Sequence, residues 1–357
     1  MNTEVKSSEA AEFFISHAPN FSDDLSISDI DEKHQKIVAS AYEKISDSSG
    51  SGWKNFRNWG AQSDLGAPAQ LSKELIRING FTKTTLRYFY AKLFRRHQES
   101  CIRSTLLDDI EILSRIGARK LLEENPVSET PGSTIFYSTD GLTLNQRWTR
   151  YIYLLKRILD LKVLSKGGVW VDVGSYYGGL QGLVRKYSPE TSLVLVDFHH
   201  QLCRSYIYLS KLYPSARHIM PDEIQNFTDF EKLPPGSIMY VPVGDFSKIQ
   251  ESSADLVTNF FSLGEMRHVH FQTYMSSKLF RGSKALCLVN RFVSAPFFER
   301  TYDTDLNVAD YLLPDRDVKY FDVFPIHHYQ LIDRTVLGRK FVRNTGSSYF
   351  ELLSVKN

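Results

Sequence analysis

Three aspartates have settings in which a carboxylate can do chemistry. Asp172 lies near the end of the apolar run VWVDVG (169–174), which is followed by Ser175-Tyr176-Tyr177, then Gly178-Gly179 and a helical stretch to Tyr187. Glycines suit a backbone that turns sharply and approaches a ligand closely, and the helix start offers unpaired N–H groups. A pyrophosphate-binding loop would require G-x-G-x-x-G, but here Gly174 and Gly178 stand four apart. That spacing disfavours a nicotinamide oxidoreductase. Asp172 can instead accept from an ammonium group, as an amino-acid-bearing cofactor would provide. Asp197 ends the next apolar run, SLVLVD, 25 residues after Asp172. A carboxylate at that strand end can accept from both hydroxyls of a ribose. Asp245, in Gly244-Asp245-Phe246, follows a third run, SIMYVPV. It can accept from an adenine amine, with Phe246 packed on the ring. Three acids at consecutive strand ends would meet along one rim of a parallel sheet, where such sheets bind ligands.

A second group of residues follows the fourth run, ADLVTNFFS: Glu265, His268 and His270. Arg291, Asp303, His327 and His328 come later in the chain. Histidine titrates near neutral pH and so suits a general base. Arg291 can bind an anionic part of a substrate or pair with a surface acid, and Arg291, Asp303 and His327 are placed on the substrate side. Asp303 and Asp305 with His327 and His328 can supply oxygen and nitrogen to a divalent cation. No spacing among them calls for a metal, and none is assigned.

Short apolar runs alternate with helical stretches through the second half of the chain. The runs are 169–174, 192–198, 237–246, 254–262 and 284–292. Each is continuously apolar, as in strands buried on both faces. The repeated strand–helix units predict an α/β fold, a Rossmann-like doubly wound sheet that is mostly parallel. The tail 347–357 reads as a further strand. Residues 1–135 read as a mainly helical amino-terminal extension (a lid, an acceptor-site cover or an interface), and 136–357 as the Rossmann-like domain. Helices are expected over 31–48, 71–97, 101–124 and 146–164. In the third, Leu106, Ile110, Leu113 and Ile116 share a face. The basic, aromatic stretch 86–97 reads as a core-facing helix with a solvated basic side, or alternatively as a contact with anionic lipid or an anionic sugar carrier.

Composition narrows the function classes. The chain has 357 residues and a net charge of +2, so no global basic field points to a nucleic-acid partner. Cys101, Cys203 and Cys287 are too widely spaced to suggest a disulfide framework or zinc site, which makes a reducing compartment, the cytoplasm, the default. The amino terminus lacks a secretory pattern, and no window of 18 uncharged apolar residues predicts a membrane span. The oligomeric state is not readable.

The order VDVGSYYGG, LVLVDF, VGDF, ADLVTNFFSLGEM resembles the class I S-adenosylmethionine-dependent methyltransferases over roughly 169–292. More narrowly, NFFSLGEM (259–266) and LCLVNRF (286–292) resemble the sugar O-methyltransferases of surface-polysaccharide gene clusters. The resemblance implies S-adenosylmethionine as cofactor, S-adenosylhomocysteine as product and a sugar or glycoconjugate hydroxyl as acceptor. It places Asp172, Gly174, Ser175, Tyr176 and Gly178 around the methionine end, Asp197 at the ribose, and Asp245 and Phe246 at the adenine. Asn259 joins the cofactor side, and Glu265 becomes the substrate-side base or hydroxyl acceptor. Two departures stand out. Tyr176 replaces a glycine usual in the class, and 48 residues separate Asp197 from Asp245, which implies an insertion around 213–236. Two further readings stay open: a methyltransferase acting on another small molecule or a protein, and a methyltransferase-like scaffold that has lost catalysis, which Tyr176 favours.

Overall fold

The computed structural model describes residues 7–17, 95–127, 137–164, 167–266, 268–292, 306, 308–326, 331–336, 339–344 and 349–356. Expected helices over 31–48 and most of 71–97 lie outside these residues. The chain divides into two compact units. One comprises Met1–Gly50, Arg157–Phe324 and Ser347–Asn357; the other comprises Ser51–Lys156 and Pro325–Gly346.

The second unit contains helices α2 (Arg95–Arg115) and α3 (Arg119–Glu124), which follow α1 (Ser7–Ser16) of the first unit in the chain, and the short strands β1 (Tyr137–Thr139) and β2 (Leu142–Leu144). The expected helix over 101–124 is thus interrupted, with Gly117 in the left-handed region at φ +73°. Leu106, Ile110 and Leu113 are buried, as their shared face requires. Helix α4 (Gln146–Leu161) spans the boundary between the units. Its Trp148 indole donates to the Asn125 carbonyl at 2.6 Å, and Thr149 donates to Asp109 at 2.7 Å. An antiparallel pair, β10 (Leu331–Val336) and β11 (Arg339–Asn344), completes the unit and was not expected from sequence.

The first unit is built on an eight-stranded sheet. Its strands are β3 (Gly168–Val173), β4 (Thr191–Asp197), β5 (His218–Ile219), β6 (Ile238–Pro242), β7 (Leu256–Phe260), β8 (Ala285–Arg291), β9 (Arg316–Val323) and β12 (Tyr349–Lys356). Their order is β5-β6-β4-β3-β7-β8-β12-β9. The first six are parallel neighbours, while β12 runs antiparallel to both β8 and β9. This is the expected doubly wound, Rossmann-like, mostly parallel sheet. The chain builds outward from β3 through β4 to β6, then returns to the other side of β3 at β7. That reversal opens a crevice at the carboxyl ends of β3 and β7.

Helices cover both faces of the sheet: α1 (Ser7–Ser16), α5 (Gly179–Tyr187), α6 (His199–Leu212), α7 (His268–Ser276) and α8 (Lys278–Gly282). Strand parity assigns the faces. Val171, Val173, Val194, Val196, Met239, Val241, Val257, Leu286 and Leu288 form one core with Phe271, Tyr274, Leu279 and Phe280 of α7 and α8. The alternate residues, including Trp170, Asp172, Leu195, Asp197, Tyr240 and Thr258, point to the opposite face. There α1 packs through Phe14 on Tyr206 of α6 and Tyr240 of β6, with ring centroids 6.1 and 6.4 Å apart. The expected insertion between β4 and β6 holds the two-residue β5 and two 3-10 turns, Pro221–Phe227 and Phe230–Lys232.

Candidate functional site

Asp172 is the innermost of the three acids. It faces the α5 side of the sheet, where Thr258 of β7 donates to it at 2.5 Å and the Gln181 amide of α5 also donates. Trp170 in turn donates to Thr258 at 2.8 Å, so a polar ladder crosses from the middle of β3 to the rim. Burial pushes the Asp172 pKa up to about 8, and the negative charge of neighbouring Asp197 acts in the same direction against the two hydrogen bonds. Two buried atoms have no hydrogen-bond partner: Oε1 of Gln181, whose amide bonds Asp172, and Oγ of Ser175 in the loop that follows β3. Both can accept, and a buried carboxylate with uncommitted acceptors on its partner and on the following loop suits a bound ammonium.

The loop after β3 is held in shape from both sides. Gly174 has φ +84°, and a Cβ there would overlap the Ser262 hydroxyl in the loop after β7. The two loops that frame the crevice are therefore in contact at this point. Tyr176 has φ +55°, in the left-handed region that the class-typical glycine would enter easily. Its N–H donates to Asp197 at 2.7 Å, and its carbonyl accepts from Ser205 of α6 at 2.6 Å. The tyrosine thus occupies a glycine conformation, secured by neighbouring side chains.

Asp197 is buried at the end of β4, and its other oxygen accepts from the Phe198 N–H at 2.7 Å. Burial raises its pKa to about 7, against those two backbone bonds and the charge of Arg204. Each carboxylate oxygen keeps a further lone pair for a ligand donor. Asp245 lies in the 3-10 turn Val243–Lys248 that follows β6, and pairs with Lys248 at 2.6 Å. The three acids therefore sit just beyond or at the carboxyl ends of β3, β4 and β6, which are adjacent strands.

Two expected cofactor residues are placed elsewhere. Phe246 is buried in the α7 core, 4.5 Å from the Tyr274 ring, so it braces the turn from beneath. Asn259 leaves β7 on the face opposite Asp172 and is fully buried. Its amide donates to the Val173 carbonyl and Ser262, and its oxygen accepts from the Leu263 N–H. It ties the loop after β7 to β3, and its polar atoms are committed there.

On the other side of the crevice, Glu265 pairs with Arg291 at 2.9 Å. Burial raises the Glu265 pKa while Arg291 opposes it. Arg291 ends β8 in register with Tyr349 of β12, and its guanidinium lies 5.9 Å from that ring. His268 and His270 have different surroundings. His268 is exposed and bonded to Gln272 one turn along α7, whereas His270 is buried. Asp303, Asp305, His327 and His328 lie outside the described residues. Among the described residues, no group of three His, Cys, Asp or Glu side chains is placed to hold a metal ion. No helix among them is long and apolar enough to cross a membrane. Gln181, Thr258, Ser205 and Tyr311 escaped the sequence reading, because a polar residue inside a strand or helix carries no spacing signal of its own.

No protein-family profile matches the sequence, and no curated protein does. Solved structures are similar in backbone arrangement. One is the magnesium protoporphyrin IX methyltransferase of Synechocystis with bound S-adenosylmethionine, at 10% identity and a TM-score of 0.36, covering 59% of this chain and 80% of that one. The same protein with S-adenosylhomocysteine gives 9%, 0.38, 59% and 84%. A proposed RNA methyltransferase from Pyrococcus horikoshii gives 15%, 0.33, 57% and 84%.

Proposed function

We propose that this chain is a cytoplasmic S-adenosylmethionine-dependent O-methyltransferase acting on a hydroxyl of a sugar or glycoconjugate. One observation carries the cofactor half of this reading: Asp172, Asp197 and Asp245 stand at three adjacent strand ends beside the switch-point crevice. Asp172, Gln181 Oε1 and Ser175 Oγ suit an amino-acid ammonium group, Asp197 a ribose and Asp245 an adenine amine. S-adenosylmethionine supplies an electrophilic methyl on a sulfonium and leaves as S-adenosylhomocysteine. The protein's part is mainly positioning, since displacement needs the acceptor oxygen in line with the carbon–sulfur bond. Glu265, half-buried and above its ordinary pKa, is suited to take the hydroxyl proton. The sugar class rests on the resemblance of 259–266 and 286–292. Tyr176 sits at a φ of +55°, a backbone conformation open to glycine, which supports the catalytic reading over a scaffold.

Calorimetry with S-adenosylhomocysteine is the direct test. Asp197→Ala is expected to weaken binding by roughly 1–3 kcal/mol, because buried ribose donors lose their acceptor. Absence of binding to the wild-type protein would refute the cofactor assignment. Glu265→Gln is expected to lower turnover on a sugar acceptor while cofactor affinity stays within about twofold.

A further inference from the structure

The Glu265–Arg291 pair has an inner side that the pair itself does not explain. Arg291 makes one ion-pair contact with Glu265, through a terminal nitrogen. Its Nε is buried and has no hydrogen-bond partner. The Tyr311 hydroxyl is likewise buried without a partner, on a residue almost wholly enclosed. The two are close. A Cβ placed on Gly264 would lie 3.4 Å from the Tyr311 oxygen and 3.5 Å from Arg291 Cβ. A guanidinium is built to hold a carboxylate or phosphate through two parallel N–H bonds; this one gives Glu265 a single bond and also interacts with the Tyr349 side chain, which leaves Nε uncommitted. Unmade hydrogen bonds on buried donors are costly, so both donors call for an acceptor atom from outside the protein. The pair is also within reach of a ligand, since the Arg291 and Glu265 side chains are 29% and 35% exposed.

We propose that Arg291 and Tyr311 form an oxyanion subsite for the acceptor, and that Arg291 is a removable counter-ion of Glu265. The acceptor class is then a hydroxylated molecule that also carries a carboxylate or phosphate. Its oxyanion takes the Arg291 fork and the Tyr311 hydroxyl, and Glu265 loses its internal partner. Loss of a nearby positive charge makes Glu265 a stronger base, so binding of the correct acceptor activates the proton acceptor. This deepens the methyltransferase reading and rests on it.

The test is titration of D-glucuronate, D-glucose and inorganic phosphate into the full chain saturated with S-adenosylhomocysteine, followed by ligand-observed NMR. Saturation with the cofactor product is measured first and separately, so its failure counts against the cofactor assignment alone. Glucuronate is expected to bind at least tenfold more tightly than glucose, with phosphate competing. Arg291→Gln should abolish that preference, and Tyr311→Phe should reduce it several-fold. Glu265→Gln should tighten glucuronate binding, because it frees Arg291 without removing it. Equal affinity for glucuronate and glucose would overturn the proposal. So would weaker glucuronate binding in Glu265→Gln, a variant that leaves the arginine in place even if Arg291→Gln fails to fold.

Discussion

Asp172 and Asp197 are more useful to a cationic ligand than to the empty protein. Each is buried, with a pKa near neutrality. At pH 6 both are largely protonated and Asp172 cannot balance an ammonium; well above pH 8 both are charged. Affinity for S-adenosylmethionine is therefore expected to rise as pH increases from 6 to 8.5. Calorimetry in buffers of different ionisation enthalpy should detect proton release on binding at pH 7. Flat affinity across that range would mean that Asp172 does not contact the ammonium. Tyr176 allows a second check at this scale. A left-handed non-glycine residue costs about 1–2 kcal/mol, and glycine regains part of that while adding unfolded-state entropy. Tyr176→Gly should therefore change stability by less than about 1 kcal/mol. Tyr176→Val, β-branched at positive φ, should destabilise by about 2 kcal/mol or more in urea melts.

The elements converge on one contact, where the loop after β3 meets the loop after β7. Gly174 has no room for a side chain against Ser262, and its φ of +84° is strained for any other residue. Gly174→Ala should cost about 2–4 kcal/mol and weaken cofactor binding, because the turn that carries Ser175 and Tyr176 must shift. Thermal melts with and without S-adenosylhomocysteine would separate the two effects. The same elements explain what the sequence reveals. Runs such as SLVLVD announce strands buried on both sides, and the acids that end β3 and β4 are legible because a charge is conspicuous in an apolar run. Which face each residue takes is not legible, because continuous apolar character erases the alternation that marks a half-buried strand. That is why Phe246 and Asn259 read as cofactor residues, yet pack on the α7 side. Glu265 and Arg291 stand 26 residues apart and meet only because β7 and β8 are neighbours. Tyr311 gives no sign of its position until the fold is known.

At the scale of the whole molecule, the antiparallel strand β12 must be locked into an otherwise parallel sheet. Glu351 on β12 is almost completely buried and pairs with Arg157 at the end of α4 at 2.6 Å. The Arg157 guanidinium also lies 4.4 Å from the Tyr320 ring of β9, so one side chain ties the helix to two strands. Removing one partner of a buried pair leaves an uncompensated charge, whereas replacing both with apolar residues can be nearly neutral. Because Arg157 is partly exposed, Arg157→Ala should cost about 2–4 kcal/mol. The double change Arg157→Leu with Glu351→Leu should recover much of that loss in urea denaturation. The raised acids add a pH dependence. A carboxyl with a higher pKa folded than unfolded binds more protons in the folded state between those two values. Stability of the ligand-free protein should therefore fall as pH rises from about 4 to about 8. An ammonium held by Asp172 opposes that trend, since it favours the deprotonated folded form. Melting temperatures from pH 5 to 9 should accordingly decline without ligand, and the increment added by S-adenosylmethionine should grow with pH. An increment that is constant across this range would place the ammonium away from Asp172.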